Sequence, residues 1–508
     1  MKRRPNVLWI MSDQHNANCM SFKGHPNVKT PNLDKIASNG VDFTHAFANN
    51  PICSPSRICF MTGQHVHTHL MYGNRNTDYP IANNDTIAYK FRQFGYQTAL
   101  IGKSHMVRKW DSDGFEHIRY CDMIDSECGN PMSNHYFKYL YENGLADLYE
   151  DGTPKPGQEH TLDGSKPSCL PHEFSTEHFI GKETLDFLNN RDNSRPFFIH
   201  MSFQRPHEPI TPSKEHFNMY NPDDVVLPDS AVDYFENRFA GKPQHMIDML
   251  KDGCAYPLAD PNSSRLKRCL ASYYAIISAI DNEIGKVLEK LEDMGEADNT
   301  IIFYTADHGD FAGEHGLFHK NFGIYESIQR IPFILCYPNG PKGIKCDGLV
   351  ESLDFYPTIF ELCNIPMPKD RQGATLLPMV SKSSPCKEEI FCEYDWLEER
   401  IVALRTKQYR MVYYSENETG ELYDRDVDPG EIKNLWNDLN YREIKIALLN
   451  KLLSFTLNNK GITSLKNDFA INKKREYDPV SLVHHKGRYW SRLEKAYNEK
   501  LAWPPKDL

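Results

Sequence analysis

Asn6-Val7-Leu8-Trp9-Ile10-Met11-Ser12-Asp13-Gln14-His15 decides the fold. Val7 to Met11 is apolar at every position. A strand covered on both faces has that pattern, whereas a half-covered antiparallel strand alternates. Polar text begins at Ser12, so the strand delivers Asp13 and Gln14 at its C-terminal end, where open α/β sheets place their ligands. Downstream, Thr30-Pro31 with Leu33, Ile36 and Ala37 before Gly40 predicts a helix capped at Thr30, with Pro at its first position and Gly past its end. Val41 to Phe47 is the next strand, and Asn49-Asn50-Pro51 turns the chain into Cys53-Ser54-Pro55-Ser56-Arg57, which starts another helix.

The alternation then repeats. Thr86 to Phe94 has helical spacing, and Gln97 to Ile101 is a strand that ends in Gly102-Lys103-Ser104-His105. Periodicity fades from Trp110 to Pro171, a stretch read as a binding wall on the substrate side. Thr176 to Leu188 is a helix capped at Thr176, and Pro196 to Phe203 is a strand delivering Gln204-Arg205-Pro206-His207-Glu208-Pro209. Arg265 to Met294 carries apolar residues at Leu266, Leu270, Tyr273, Ile277, Ile280, Ile284, Val287 and Leu291, one long amphipathic helix. Thr300 to Ala306 is a central strand ending in Asp307-His308-Gly309-Asp310; Ile331 to Tyr337 is a strand and Ser352 to Asn364 a capped helix. The class is α/β, with a mainly parallel sheet between helices.

After the Pro- and Lys-rich text around Met367 to Lys387 the pattern changes. Glu389–Tyr394, Ile401–Arg405, Tyr409–Tyr414 and Glu421–Tyr423 are short alternating strands of an antiparallel sheet, with a helix from about Tyr441 to Leu457 packed on it. The division expected is a catalytic domain over 1–385 and a smaller α+β subdomain over 386–508. The aromatic, basic tail is read as wrapping the body or a neighbouring subunit, a homo-oligomer element.

Composition narrows the function. With 508 residues and a net charge of −11, the chain lacks the basic stripe of a nucleic-acid binder. Thirteen cysteines include no Cys-x-x-Cys pair, so most read as thiols of a reducing compartment. Val7–Met11 is too short for a signal peptide and no window suits a membrane span, so a cytoplasmic protein is expected unless a leader is missing.

Asp13-Gln14, Lys103 with His105, His207 and Asp307-His308 therefore lie at the ends of separate strands. Each alone has a structural explanation as turn former or scaffold histidine. The pairs Asp13-Gln14 and Asp307-His308 supply three oxygen donors and one imidazole, a set for a hard cation such as calcium or magnesium, with manganese as an alternative. Arg57, Lys103 and Lys320 can hold the oxygens of a tetrahedral anion, and His105 and His207 are candidates to protonate a leaving alkoxide or remove a hydroxyl proton.

Several blocks, in order, resemble the sulfatase family: Asn6–Gln14, Thr30-Pro-Asn-Leu-Asp34, Cys53–Gly63 with its Cys-x-Pro-x-Arg core, Gly95–His105, Thr305–Asp310 and Glu421-Leu-Tyr-Asp424. The resemblance implies an alkaline-phosphatase-like fold, a large mixed sheet flanked by helices with a smaller C-terminal domain. It implies that Cys53 becomes formylglycine by the action of a maturation enzyme. The implied metal ligands are Asp13, Gln14, Asp307, His308 and the modified Cys53, with Ca2+ favoured. Arg57, Lys103, His105, His207 and Lys320 would then bind sulfate and move protons. Gln14 and His308 stand where many members have Asp and Asn, a pairing similar to the choline sulfatase and phosphonate monoester hydrolase branch. Lys103 and His105 point back to a sulfatase, and Ser104 replaces a usual Trp.

The expected activity is hydrolysis of a sulfate ester of a small molecule or, favoured, a carbohydrate. The alternatives are a phosphonate monoester or phosphodiester hydrolase using the same site, and a non-catalytic sulfoglycan binder with unconverted Cys53.

Overall fold

The computed structural model describes residues 4–74, 86–106, 112–122, 131–149, 165–251, 256–257, 264–320, 323–382, 386–396 and 399–458. The main sheet has eight strands in the order β10-β2-β9-β7-β1-β5-β3-β4. These are β1 Asn6–Asp13, β2 Val41–Phe47, β3 Gln97–Gly102, β4 His117–Tyr120, β5 Phe197–Pro206, β7 Thr300–Ala306, β9 Phe333–Cys336 and β10 Ile344–Glu351. β6 (Tyr256–Pro257) and β8 (Leu317–Phe318) form a separate two-stranded ribbon.

β1 lies in the middle, parallel to both β5 and β7. Its continuous apolar run is explained by the two cores it serves. Leu8 and Ile10 enter the core on one face, while Val7, Trp9 and Met11 enter the core on the other. A truncation here costs about 2–5 kcal/mol, because a filled interior closes only partly over the gap. The helices covering these faces include α1 (Pro31–Ser38), α2 (Cys53–Thr62), α3 (Ile87–Gln93), α4 (His135–Glu142), α5 (Thr176–Asn190), α6 (Ser264–Asp293) and α7 (Phe355–Leu362). α6 is the long amphipathic helix, and its Leu270, Tyr273, Ile277, Ile280 and Ile284 fill the first core.

The sheet is mixed, because β9 runs antiparallel to both β2 and β7. An apolar four-residue strand carries no sign of its direction. β4 and β10 lie outside the strands expected from sequence. The first half of β10, Ile344 to Asp347, is mostly exposed and carries Lys345 and Asp347, so only its end resembles a core strand. The stretch 110–171, read as irregular, contains β4 and α4 among its described residues.

Caps also differ from expectation. Ser175, not Thr176, caps α5 by accepting the His178 N–H. Thr30 occupies the cap position of α1 without capping it. Asp281 of α6 instead accepts the Asn32 and Leu33 N–H groups at 3.1 and 2.8 Å. The helix expected over 352–364 is a short 3-10 turn at Ser352–Asp354 leading into α7.

The C-terminal sheet is antiparallel in the order β11-β12-β13-β14, over Glu389–Trp396, Glu399–Thr406, Tyr409–Tyr414 and Thr419–Asp424. α8 (Arg442–Asn458) packs Leu448 and Leu452 against Leu404, Met411 and Leu422. The basic tail beyond 458 lies outside the described residues. Among the described residues no helix is long and apolar enough to cross a membrane.

Candidate active site

β1, β7, β5 and β3 are near neighbours in the sheet, so their C-terminal ends bring Asp13, Asp307, His207 and Lys103 to one edge. At the end of β3, Gly102 has φ 113°, and a Cβ there would stand 1.8 Å from the Ser202 carbonyl oxygen. Only glycine lets β3 run this close to β5 and then turn Lys103 inward. Cys53 arrives from another direction, as the first residue of α2, where the unpaired N–H groups favour negative charge.

The side chains that meet here are almost completely buried: Asp13, Gln14, Cys53, Lys103, Asp307 and His308 show no exposure. Asp13 divides its two oxygens. Oδ2 takes Lys103 Nζ at 2.6 Å and Arg57 NH2 at 3.2 Å. Oδ1 faces Cys53 Sγ at 3.8 Å and His308 Nε2 at 3.7 Å. Asp307 is held alike: Oδ2 accepts from Arg57 Nε at 2.8 Å, while Oδ1 accepts the Gln14 and His308 backbone N–H groups. Ser56, one residue before Arg57, donates to the Asp307 carbonyl at 2.5 Å and fixes α2 against β7.

Two further contacts decide which atoms point inward. His308 Nδ1 lies 2.9 Å from the Gly309 carbonyl, which assigns the proton to Nδ1 and leaves the Nε2 lone pair facing the site. Gln14, at φ 65°, donates Nε2 to Asp310 Oδ2 at 2.6 Å, which leaves Oε1 as the inward atom. Lys320 Nζ then sits on three acceptors, Gln14 Oε1 at 2.8 Å, His308 Nε2 at 3.2 Å and Cys53 Sγ at 3.3 Å. A cation already rests on these atoms, and the ligand atoms of Asp13, Cys53, Asp307 and His308 lie within 4.8 Å of one another. The donor set fits a divalent ion of the oxygen-preferring kind.

The electrostatics follow from burial and crowding. Burial alone would raise the Asp13 pKa, but Lys103, His207, Lys320 and Arg57 hold it well below the carboxylate range. Lys103 and Lys320 are raised despite burial, chiefly by Asp13 and Cys53, so both carry their charge. Burial and Lys320 lower His308, which keeps its imidazole neutral and able to donate a lone pair. Asp310, pushed up to about 7 by burial against the donors that surround it, accepts from Gln14, Ala312 and His319.

His207 follows β5, and its backbone N–H donates to the Asp13 carbonyl at 3.2 Å. Its Nδ1 faces the Glu208 carbonyl at 3.1 Å and Glu208 Oε2 at 3.0 Å. Glu208 Oε2 also meets His319 Nε2 at 2.6 Å. This places the imidazole's Nδ1 on Glu208 and frees Nε2 for other contacts. His105, at φ 47°, donates its backbone N–H to Asp122 at 2.7 Å, on the loop two residues beyond Lys103. Sequence reading missed Asp310 as the residue that orients Gln14 and His319 as a partner of Glu208. The Phe318-His319-Lys320 order was the one available signal for His319.

A buried cluster of candidate metal ligands beside three cations, at the C-terminal edge of a large mixed sheet, is the arrangement of a hydrolase of the alkaline phosphatase superfamily. The sulfatase family model matches residues 5–365, so the chain belongs to the sulfatase family and is a sulfuric ester hydrolase. A second model, the C-terminal part of N-sulphoglucosamine sulphohydrolase, matches residues 313–458. An arylsulfatase of Clostridium perfringens is 31% identical over 502 residues, covering 95% of this chain and 99% of that one. An N-acetylglucosamine-6-O-sulfatase of Bacteroides thetaiotaomicron is 28% identical, with 89% and 86% covered. Among solved structures, the phosphonate monoester hydrolase of Agrobacterium radiobacter has a TM-score of 0.76 at 23% identity, with 90% and 96% covered. An enzyme solved with its substrate D-glucosamine-2-N,6-O-disulfate has a TM-score of 0.70 at 24% identity, with 90% and 99% covered.

Proposed function

We propose that the protein hydrolyses the sulfate ester of a carbohydrate, using a formylglycine hydrate made from Cys53. One observation carries the reading: Cys53 Sγ stands at a helix N-terminus within 3.3 Å of Lys320 Nζ and His308 Nε2. The sulfur stands where the hydroxyl oxygens of the aldehyde hydrate would lie. That hydrate supplies one hydroxyl to attack sulfur and a second whose deprotonation expels sulfate. Asp13, Gln14, Asp307, His308 and the converted Cys53 would hold a divalent ion, Ca2+ ahead of Mg2+ or Mn2+, which offsets the negative charge of the sulfate oxygens.

The chain's own residues do the rest. Lys103, Arg57 and Lys320 stabilise the charge that grows on the sulfuryl oxygens; Lys103 and Arg57 are already oriented by buried carboxylates before substrate arrives, and Lys320 by Gln14 and His308. Asp307 is the candidate base for the attacking hydroxyl. His207, held through Nδ1, gives a proton from Nε2 to the leaving alkoxide, with Lys320 beside the same oxygen. His105 takes the proton of the second hydroxyl. The sugar contacts fall to Arg205, Glu208 and the loop text before Pro171. The catalytic domain is assigned to 1–385 and the subdomain to 386–508. A maturation enzyme converts Cys53, and the tail serves a homo-oligomer.

The test is enzyme coexpressed with a formylglycine-generating enzyme. Mass spectrometry should find aldehyde at position 53, and a panel of sulfated mono- and disaccharides should release sulfate. Sulfate release by Cys53→Ala, or an intact thiol in active enzyme, would end the mechanism. Faster turnover of a phosphodiester than of any sulfate would favour the phosphonate monoester hydrolase reading instead.

A further inference from the structure

A second group of metal-ligating side chains lies away from the catalytic edge, where α5 begins against α6. Glu283 of α6 is completely buried, and its Oε1 meets His172 Nε2 at 3.1 Å and His178 Nδ1 at 3.3 Å. The three ligand atoms lie within 4.8 Å of one another. His172 sits on the 3-10 turn before α5, and His178 sits in the first turn of that helix. Ser175 caps the same turn and so fixes the two imidazoles relative to each other.

We propose that His172, His178 and Glu283 form a structural zinc site. The distances carry the argument. Zinc holds His nitrogen and carboxylate oxygen at about 2.0–2.2 Å in a tetrahedron, whose edges are then about 3.3–3.5 Å. The observed edges of 3.1 and 3.3 Å need only small rotations to accept an ion. Two imidazoles and one carboxylate are a borderline donor set, unlike the oxygen-rich catalytic group, and they favour zinc over calcium.

Two neighbours bear on the assignment. Lys286 Nζ meets Glu283 Oε1 at 2.7 Å, and its side chain is 44% exposed, so it can leave for solvent when an ion arrives. His216, on the short helix Lys214–Phe217, has its ring 4.8 Å from that of His172. It is one source of a fourth ligand, and water is another. Occupied, the site ties the entry of α5 to the middle of α6.

The experiment compares the metal-stripped, full-length wild type with His172→Ala/His178→Ala. Both keep every catalytic residue, so zinc bound at the catalytic edge cancels. Added zinc alone, counted after gel filtration near neutral pH, should be one equivalent per chain higher in the wild type. Zinc should raise the melting temperature of the wild type more than that of the variant. Cobalt(II) should give the intense visible bands of tetrahedral coordination in the wild type only. His178→Gln guards against misfolding, because Gln can still donate to Glu283 but ligates zinc poorly; it too should lose the equivalent. Equal zinc counts and equal melting responses in wild type and His178→Gln would overturn the proposal and leave a hydrogen-bonded Glu283.

Discussion

The catalytic edge and the root of the C-terminal sheet are both buried charge networks, and they end differently. At the root, Arg405 and Arg425 pair with Glu326, each at 3.0 Å, and Arg425 and Arg410 approach Glu431 at 3.2 and 3.4 Å. Part of the surplus of guanidinium donors closes on main-chain oxygens, Arg410 Nε on Ile324 at 2.9 Å and Arg405 NH1 on Lys407 at 2.9 Å, while Arg410 NH1 and Arg425 Nε are left without a hydrogen-bond partner among the described residues and converge on no common acceptor group. At the catalytic edge the cations also outnumber the carboxylates, but the remaining acceptors are Gln14 Oε1, His308 Nε2 and Cys53 Sγ. All three converge on one place. Charge excess alone therefore does not mark a site; what marks it is where the unspent donors and acceptors point.

The largest expected effect breaks the comparison at the catalytic edge. Lys103→Ala removes a charged donor and leaves Asp13 Oδ2 with Arg57 as its remaining cation. Loss of one such stabilising group costs about 10²–10³-fold in rate, so kcat/KM on an aryl sulfate should fall by about 10³. Arg405→Ala removes an equally buried cation from the other network and should leave kcat/KM of the folded enzyme within about threefold. Initial rates on both variants decide it; equal losses would mean that the networks do not differ in kind.

Glu326→Gln tests the structural network and reads out in stability. Removing one member of a buried ion pair costs about 3 kcal/mol, because Arg405 and Arg425 lose their common partner. Burial raises the Glu326 pKa, but Arg425, Arg405, Arg330 and Arg410 outweigh it and hold the carboxyl at about 2, below its ordinary 4.5. The native state therefore binds its proton more weakly than the unfolded chain. Its stabilisation is full above about 4.5 and fades as pH falls toward 2. Urea unfolding of the wild type should weaken across that window, and the variant should show a shallower slope. Parallel slopes would remove Glu326 from the network.

How much of this was legible in sequence depends on what each residue's partner is. The spans of β2 and β7 could be read to the residue: β7 is a largely apolar run between polar ends, and β2 is set off between Gly40 and the Asn49-Asn50-Pro51 turn. Asp13, Lys103, His207 and Asp307 were legible because each follows such a run. The direction of β9 and the presence of β10 were not, since both depend on the strand beside them. The cap on α1 was misassigned for the same reason: Thr30 is the local candidate, but Asp281 lies some 250 residues away in sequence. The inward atoms of Gln14 and His308 are set by Asp310 and Gly309, and an amide's orientation leaves no trace in composition.

Asp310→Asn sharpens that last point with a smaller effect. Asp310 keeps Gln14 Oε1 inward by accepting from Nε2. With an amide at 310, a donor faces a donor unless Gln14 rotates, and rotation turns its NH2 group toward the metal position. Supporting residues of this kind are worth about 10–100-fold in metal affinity. The concentration of the activating divalent ion for half-maximal activity should rise by that factor, with kcat at saturating ion nearly retained. An unchanged requirement for the ion would detach Gln14 from it.

The smallest effect belongs to a pair outside both networks. Lys35 of α1 meets Glu292 of α6 at 2.7 Å, as short as several buried contacts, yet the two side chains are 47% and 52% exposed. Water and salt screen such a pair, and ordering two long side chains offsets most of the attraction. Lys35→Ala should change stability by no more than about 0.5 kcal/mol and leave activity untouched. The same two helices are joined by the buried Asp281 cap, so the junction has its own internal control. Asp281→Ala exposes the Asn32 and Leu33 N–H groups to an unpaired state and should cost about 1–2 kcal/mol, several times the loss at Lys35. A larger loss at Lys35 than at Asp281 would show that contact length, rather than exclusion from water, sets the worth of a charge in this protein.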